Sequence, residues 1–552
     1  MNFRDIFKIL GVYFFAFAGL MLLPMLIAVY YQFFVDPAQH PQPHSTLAFF
    51  ESVIVCAGVG SLFYFFGRNT SARLYKKESI ALVVIIWFLT PALAAFPFTF
   101  SNTLSNPLQS YFEAVSGLTT TGATTMQAKV YNAQGQEIPI QKTFGDAVKT
   151  TYTFYGTIEP IRDPVTNKIL YEGIEAVSKA LLFWRSFLQW LGGLGVVVLF
   201  VAILPALGVS GVSSKLLVRS EMTGPIKDAL APRATQAAIQ LLWIYVCLNI
   251  IQITLLMVFN DQMQFLDAVT ISFSTVSGGG YSIRNASIGS YNNVNTDWIV
   301  ILFMIIGSMN FTIYYYAVRG QFYRISLPEL WIYLSILLIG CIIGSWYLVG
   351  TEKVLISGDT HTSYTVSEAI RYGTFQVVSA QTSSGFVTAD YEHWPYVVQC
   401  IMLIAMFVGG MSGSTAGGFK IVRHYILFKI AQYKIESLFR SETVRQIKAG
   451  GQEIDEGTSF IVLTFFWVAI CCSVLGTFFY IVQGLDMETS LGLVGCMVNN
   501  VGLGFRMAGP VDSCAFLSNA GLILSSFLMI LGRLEYLVVL AIMMPSFWKE
   551  TS

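Results

Sequence analysis

Ionisable side chains are scarce in this sequence of 552 residues: Lys and Arg number 32, Asp and Glu 32, together 12% of the chain, against about 25% in a typical soluble domain. With 55% of residues hydrophobic, most of the surface cannot face water; this excludes a soluble globular protein and points to a polytopic membrane protein. The two signs of charge cancel, so no long-range field gathers nucleic acid or acidic substrates, and nucleic acid is excluded as a partner. Histidine is rarer still. His40, His44, His361, His393 and His424 fall at membrane edges or in loops, with no HExxH pair, and read as solvated. The eight cysteines, Cys56, Cys247, Cys341, Cys400, Cys471, Cys472, Cys496 and Cys514, form no CxxC pair and read as small packing residues. No nucleophile stands with a base or a metal set, so an enzyme and an organic cofactor are not expected.

What the chain has instead is long apolar runs. Candidate spans lie near residues 8–34, 47–67, 78–98, 181–208, 236–259, 297–318, 328–350, 396–417, 456–484 and 515–546, about ten in all. Lys and Arg collect in alternate connections: Arg4 and Lys8; Arg68, Arg73, Lys76 and Lys77; Lys215, Arg219, Lys227 and Arg233; Arg319 and Arg324; then Lys420, Arg423, Lys429, Lys434, Arg440, Arg445 and Lys448. By the positive-inside rule these are cytoplasmic, as is Lys549, so both termini are expected on the cytoplasmic side of a lipid membrane.

Four external connections carry segments too short to span and too apolar to be solvated: "SYFEAVSGLTTTGATT", "FLDAVTISFSTVSGGGYS", "AIRYGTFQVVSAQTSSGFVTADY" and "TSLGLVGCMVNNVGLGF". These read as re-entrant pore loops, since irregular backbone at membrane depth survives only beside a wet cavity. They repeat. Phe112, Val115, Ser116, Thr119 and Gly122 align without gaps on Phe375, Val378, Ser379, Thr382 and Gly385; the second loop fits with Ile271, Ser272, Thr275 and Gly278, and the fourth ends alike. The expected fold is an all-α polytopic membrane protein, two leading helices plus four helix–pore loop–helix repeats in pseudo-fourfold arrangement around a central pore. Its parts are a leading unit at 1–70 and repeats at 71–215, 216–325, 326–450 and 451–552, with a polar, turn-rich external insertion at about 126–175 that reads as a small β element.

The loop ends are four tetrapeptides: Thr119, Thr120, Thr121, Gly122; Thr275, Val276, Ser277, Gly278; Thr382, Ser383, Ser384, Gly385; and Asn499, Asn500, Val501, Gly502. None of these residues is ionisable. Stacked carbonyls and hydroxyls replace the water of a dehydrated monovalent cation, whereas a divalent-selective pore would show a ring of Asp or Glu. Below the third loop, Gly409, Gly410, Gly413, Ser414, Thr415, Gly417 and Gly418 in "FVGGMSGSTAGGFKIVR" would break a span at membrane depth, which suits a flexible gate; neither GxGxxG nor GxxxxGK[ST] is present to make a phosphate cradle. Arg533 lies mid-span, where insertion costs about 2.5–3.5 kcal/mol, and is expected to hold the gate's carbonyls or to face the pore.

The stretches "VSGLTTTGAT", "WRSFLQWLGGLGVVVLFVAILP", "ISFSTVSGGGYS", "GGMSGSTAGGFKIVR", "VNNVGLG" and "LGRLE" resemble the TrkH branch of the superfamily of K+ transporters. The resemblance covers nearly the whole chain outside the insertion. It implies a bacterial inner-membrane K+ uptake protein with K+ as the transported ion. It also implies a homodimer with one pore per subunit, gated by a cytosolic TrkA-like regulatory subunit with nucleotide-binding RCK domains. The family's filter glycine falls on Gly122, Gly385 and Gly502, its gating loop on 409–418 and its pore-facing arginine on Arg533. In the second repeat the resemblance selects Gly279 and the gapless alignment Gly278, and both stand as candidates. Three consecutive glycines also predict a looser quarter of the filter. A K+ symporter coupled to H+ or Na+ and a poorly selective K+/Na+ pathway are the alternatives.

Overall fold

A computed structural model describes residues 3–70, 74–144, 149–195, 234–321, 328–356, 363–439, 447–449, 452–454 and 456–549. Arg73, Lys215, Arg219, Lys227, Arg233, Arg324, His361, Arg440, Arg445, the far half of the span expected at 181–208 and the repeat boundaries at 215, 325 and 450 lie outside the described residues.

Two long apolar helices, α1 (Phe3–Phe33) and α2 (Thr46–Gly67), pack against each other and lead into the first repeat. That repeat comprises α3 (Lys76–Ala94), a short pore helix α4 (Pro107–Leu118) and a closing helix α5 (Lys179–Gly193). The second has α6 (Ala234–Phe259), pore helix α7 (Phe265–Ser277) and a closing pair α8 (Val294–Gly307) and α9 (Phe311–Val318). The third has α10 (Pro328–Leu348), pore helix α11 (Val366–Gln381), and α12 (Tyr396–Val408) and α13 (Ile421–Ser437) on either side of the glycine-rich loop. The fourth has α14 (Glu456–Val482), pore helix α15 (Met487–Val498) and a closing pair α16 (Asn519–Arg533) and α17 (Leu537–Met543).

The helices sort by what surrounds them. In α10 and α14, Trp331, Leu338, Ile342, Trp346, Phe460, Trp467 and Phe478 are exposed, an apolar face suited to lipid. The pore helices are buried even at polar positions such as Ser110, Glu113, Ser272, Gln376 and Thr489. Three of the four starts are capped, by the Asn106 side chain on Leu108 N, by a Thr365–Glu368 capping box, and by Asp486 on Thr489 N, while α7 starts after Gln264 without a side-chain cap.

Not every expected span is a single straight helix. Among the described residues six helices are long and apolar enough to cross a membrane, and two further spans are broken pairs, α8/α9 bent by 92° and α16/α17 bent by 118°. Asn310 starts the second half of the former by accepting from Thr312 N, and Glu535 and Tyr536, both at positive φ, reverse the chain in the latter. The span expected at 396–417 stops being helical at Val408.

The external insertion forms three hairpins, β1–β2 (Val130–Tyr131, Glu137–Ile138), β3–β4 (Ile140–Phe144, Thr150–Phe154) and β5–β6 (Ile161–Arg162, Ile169–Tyr171). The middle one reaches the fourth repeat: Lys142 pairs with Asp512, the Tyr152 hydroxyl donates to Asp486, and Tyr152 and Phe154 pack on Phe516 and Met507. His40, expected to be solvated, is buried and stacked on Tyr31 at 4.6 Å; burial first, then Lys179, lowers its pKa to about 4.

Candidate ion-conducting site

Each pore helix ends in the same turn. In the first quarter Thr120 N bonds Gly117 O, Thr121 N bonds Ser116 O at 2.9 Å, Thr120 takes φ +57° and Gly122 φ +87°. Quarters three and four repeat this with Ser383 (+54°) and Gly385 (+73°), and with Asn500 (+54°) and Gly502 (+80°). In quarter two the residue that bonds back to the helix is Gly279, on Ser274 O at 2.8 Å, and the positive-φ positions are Gly278 (+71°) and Gly280 (+73°). The gapless register is therefore off by two residues and that from the resemblance by one: in backbone geometry Ser274, not Ser272, corresponds to Ser116, and Gly280, not Gly278 or Gly279, corresponds to Gly122. Thr275 and Val276 belong to the last turn of the pore helix, and the tetrapeptide is Ser277–Gly280.

The four glycines close a ring. A side chain on Gly122 would collide with Gly279 O, on Gly280 with Ser384 O, on Gly385 with Val501 O, and on Gly502 with Thr121 O, so each quarter's carbonyl fills the space that the next quarter's glycine leaves. These same four glycines line an external cavity of about 360 Å³, with Tyr281, Arg284 and Asp512 among the residues around it.

Quarters one and three share a side-chain scaffold. Thr119 Oγ1 donates to Val115 O (2.8 Å) and lies 2.7 Å from Thr121 Oγ1; Thr382 Oγ1 donates to Val378 O (2.7 Å) and lies 2.9 Å from Ser384 Oγ. Thr120 and Ser383 hydroxyls each bond the preceding carbonyl at 2.7 Å. Ser116 and Ser379 bond Ala123 O and Phe386 O at 2.7 and 2.8 Å. Left-handed backbone at Thr120 and Ser383 costs about 1–2 kcal/mol each, which this local network offsets. Quarter four instead uses the Asn500 carboxamide, which donates to Thr121 Oγ1 (3.0 Å) and Met529 O (2.9 Å).

The glycine-rich loop lies against the other end of the four turns and bonds three quarters directly and the first through Arg533. Thr415 Oγ1 is 2.9 Å from Val276 O and 3.0 Å from Gly307 O, Gly417 N donates to Ser383 Oγ, and Gly418 N donates to Asn499 O at 3.0 Å. Arg533 supplies the fourth tie, donating to Thr120 Oγ1 (3.3 Å), to Thr415 O (3.1 Å) and to the carbonyls of Gly192 and Gly193. Of these carbonyls one, that of Thr415, belongs to the loop, and those of Gly192 and Gly193 end α5. Gly409, Gly413 and Gly418 take positive φ. Gly413 O accepts from Phe311 N, Ser414 bonds Met411 O, and Gly410 O accepts from Ile421 N. Glu329 accepts from Ser412 N, the Lys420 ammonium bonds Ala416 O, and Arg423 on α13 pairs with Glu535.

Residues not singled out from the sequence stand behind the filter: Gly280, Glu113, Arg185, Gln189 and Tyr281. Glu113 accepts from Thr125 N (2.6 Å), Arg185 Nε (3.2 Å) and the Tyr281 hydroxyl (3.1 Å), and the Arg185 guanidinium sits 4.0 Å from the Tyr281 ring centre. Their signal was present as an ionisable residue in each of two apolar segments, with Gln189 one helical turn beyond Arg185. Among the described residues no cluster of His, Cys, Asp and Glu could hold a metal ion by side chains.

A membrane protein of four pore-loop repeats around a central axis is the class defined by this fold and geometry. The family model described as "TrkH: Cation transport protein" matches residues 164–550. Over 100% of both chains, the sequence is 29% identical to the Trk system potassium uptake protein TrkH of Escherichia coli K12 and 30% identical to that of Halomonas elongata. The crystal structure of the potassium transporter TrkH from Vibrio parahaemolyticus matches with a TM-score of 0.76 at 25% identity, covering 100% of each chain. The chain belongs to the TrkH cation transport family.

Proposed function

We propose that this protein takes up K+ across the bacterial inner membrane, both termini inside, through the ring of Gly122, Gly280, Gly385 and Gly502. The observation that carries the reading is the cyclic contact of each glycine with the next quarter's carbonyl, in a filter free of ionisable side chains; the curated relatives are named for potassium uptake. Hydration is exchanged for carbonyl and hydroxyl oxygens, and the membrane potential drives entry with about 2.3 kcal/mol per charge per 100 mV. The loop 409–418 is the gate in its closed position, since it is tied to all four quarters at once. The division into a leading unit and four pore repeats belongs to this reading, and so does a homodimer with one pore per subunit. A nucleotide-binding RCK ring would act through the basic segment that begins with α13, whose first residue follows the gate by three positions.

The test is uptake of radioactive Rb+ into liposomes holding the purified protein, with K+, Na+ or choline as competitor. K+ is expected to compete far better than Na+, Gly385→Ser to lose that preference, and deletion of 409–418 to raise basal uptake. Equal competition by Na+ in the wild type would overturn the K+ reading, and unchanged flux in a folded deletion variant would overturn the gate.

A further inference from the structure

The filter quarter with three successive glycines has almost no side chains of its own, yet it is gripped from outside. Gln189, on closing helix α5 of the first repeat and fully buried, donates from Nε2 to Gly279 O at 2.6 Å and accepts at Oε1 from Tyr281 N at 3.1 Å. One carboxamide thus satisfies the backbone on both sides of ring glycine Gly280, as a neighbouring strand would. The two glycines before it have separate reasons to lack side chains. Gly278 occupies the left-handed position held elsewhere by Thr120, Ser383 and Asn500, while a side chain on Gly279 would overlap the Gln189 carboxamide itself. Gly279 O is also the carbonyl that fills the space left by Gly122, so the carboxamide acts at the contact between quarters one and two. Tyr281 is held in turn by Glu113 and Arg185, which fixes the acceptor end of the clamp.

We propose that Gln189 is a specificity-determining positioning residue: its carboxamide replaces the hydroxyl scaffold of quarters one and three, and holds Gly279 O and Gly280 at the spacing that favours K+ over Na+. The inference rests on the K+ filter reading above. Without the clamp the glycine run would relax around a smaller ion, and discrimination would fall before conduction does, because the ring itself remains.

The experiment compares wild type with Gln189→Leu and with Gln189→Glu, which keeps the side-chain volume and the acceptor for Tyr281 N but sets a carboxylate oxygen against Gly279 O. Two readouts are taken. One is the ratio of Na+ to K+ concentrations that halve Rb+ uptake in liposomes; the other, independent of flux, is the rise in melting temperature with K+ relative to Na+. Both substitutions are expected to lower the competition ratio by about tenfold, as loss of one ordinary hydrogen bond would, and to erase the K+ preference of the melt. A purely structural role would lower the melting temperature equally in the two salts. A competition ratio within about twofold of wild type, or a K+-preferring melt in a variant without flux, would overturn the proposal. Failure of both variants to fold would make Gln189 a core residue and overturn it too. A wild type without K+ preference would instead sink the proposed function, and that is read from the wild type alone.

Discussion

Quarters one and three build their part of the filter from their own hydroxyls, residue for residue, whereas quarters two and four borrow theirs. Thr119, Thr120 and Thr121 are matched by Thr382, Ser383 and Ser384 in every bond within the turn. Quarter two relies on a carboxamide from the first repeat's closing helix, and Asn500 of quarter four bonds across to Thr121 and back to Met529. The same backbone turn is thus reached by two routes: a local one, robust to what surrounds it, and a tertiary one that depends on helix packing. The local route stores strain in Thr120 and Ser383; the tertiary route avoids it with Gly278, or reduces it with Asn500, a residue that tolerates left-handed backbone better.

The sharpest way to break this comparison is to swap equivalent positions. Gly278→Asn imitates Asn500, and a side chain there first meets atoms at 3.5 Å, so K+-preferring Rb+ uptake should survive within about threefold. Gly280→Asn drives a side chain into Ser384 O and should remove K+ preference altogether, by about a hundredfold. The reverse result would restore Gly278 as the ring residue.

Arg533 ties the loop 409–418, the proposed gate, to quarter one through Thr120. Its hydrogen bonds are charge-assisted, worth about 1.5–3 kcal/mol each, so Arg533→Gln should raise basal Rb+ uptake by about tenfold or more. A smaller effect is expected from hydroxyl removal. Ser384→Ala loses one local bond, about 1 kcal/mol, and should reduce K+ preference about fivefold; Thr121→Val also strands the Asn500 donor and should do more. Equal effects would mean that Asn500 does not depend on its neighbour.

The smallest effect sits outside the membrane, where Glu392, just after quarter three, accepts from Arg506 N of quarter four at 2.7 Å. Burial raises its pKa from 4.5 to about 7 against the lowering effect of Arg506. The folded state therefore favours the proton, so this contribution to stability is complete below about pH 4.5 and disappears as pH rises through about 7. Melting temperature should fall slightly over that interval in wild type and less in Glu392→Gln, read by thermal melts at several pH values.

Much of the site was legible because it repeats. Thr119 to Gly122 and Thr382 to Gly385 carry enough matching side chains to set their own register. Gly278, Gly279 and Gly280 carry none, so the apolar match at Ile271 and Ser272 pulled the alignment two residues away from the true anchor, Ser274. The break after Val408 announced itself by glycines, but the breaks at Ser308–Asn310 and at Glu535–Tyr536 did not. Those are stabilised by partners distant in sequence, as with Glu535 and Arg423, 112 positions apart. The partner of Gly279 O was hidden for the same reason: Gln189 lies 90 residues earlier, in a helix whose polar residues, Arg185 and Gln189, mark a buried site without saying which backbone they serve.

The external hairpins acquire a meaning from the order of the ring. Chain continuity carries quarter one into two, two into three and three into four, but nothing covalent joins four back to one. That open seam is where strand β3 sends Lys142 to Asp512, β4 sends Tyr152 to Asp486, and Thr124 O accepts from Cys514 N at 2.7 Å. The insertion works as a hasp: a ring folded from a single thread has one joint that must be fastened from outside, and the first quarter carries the fastening.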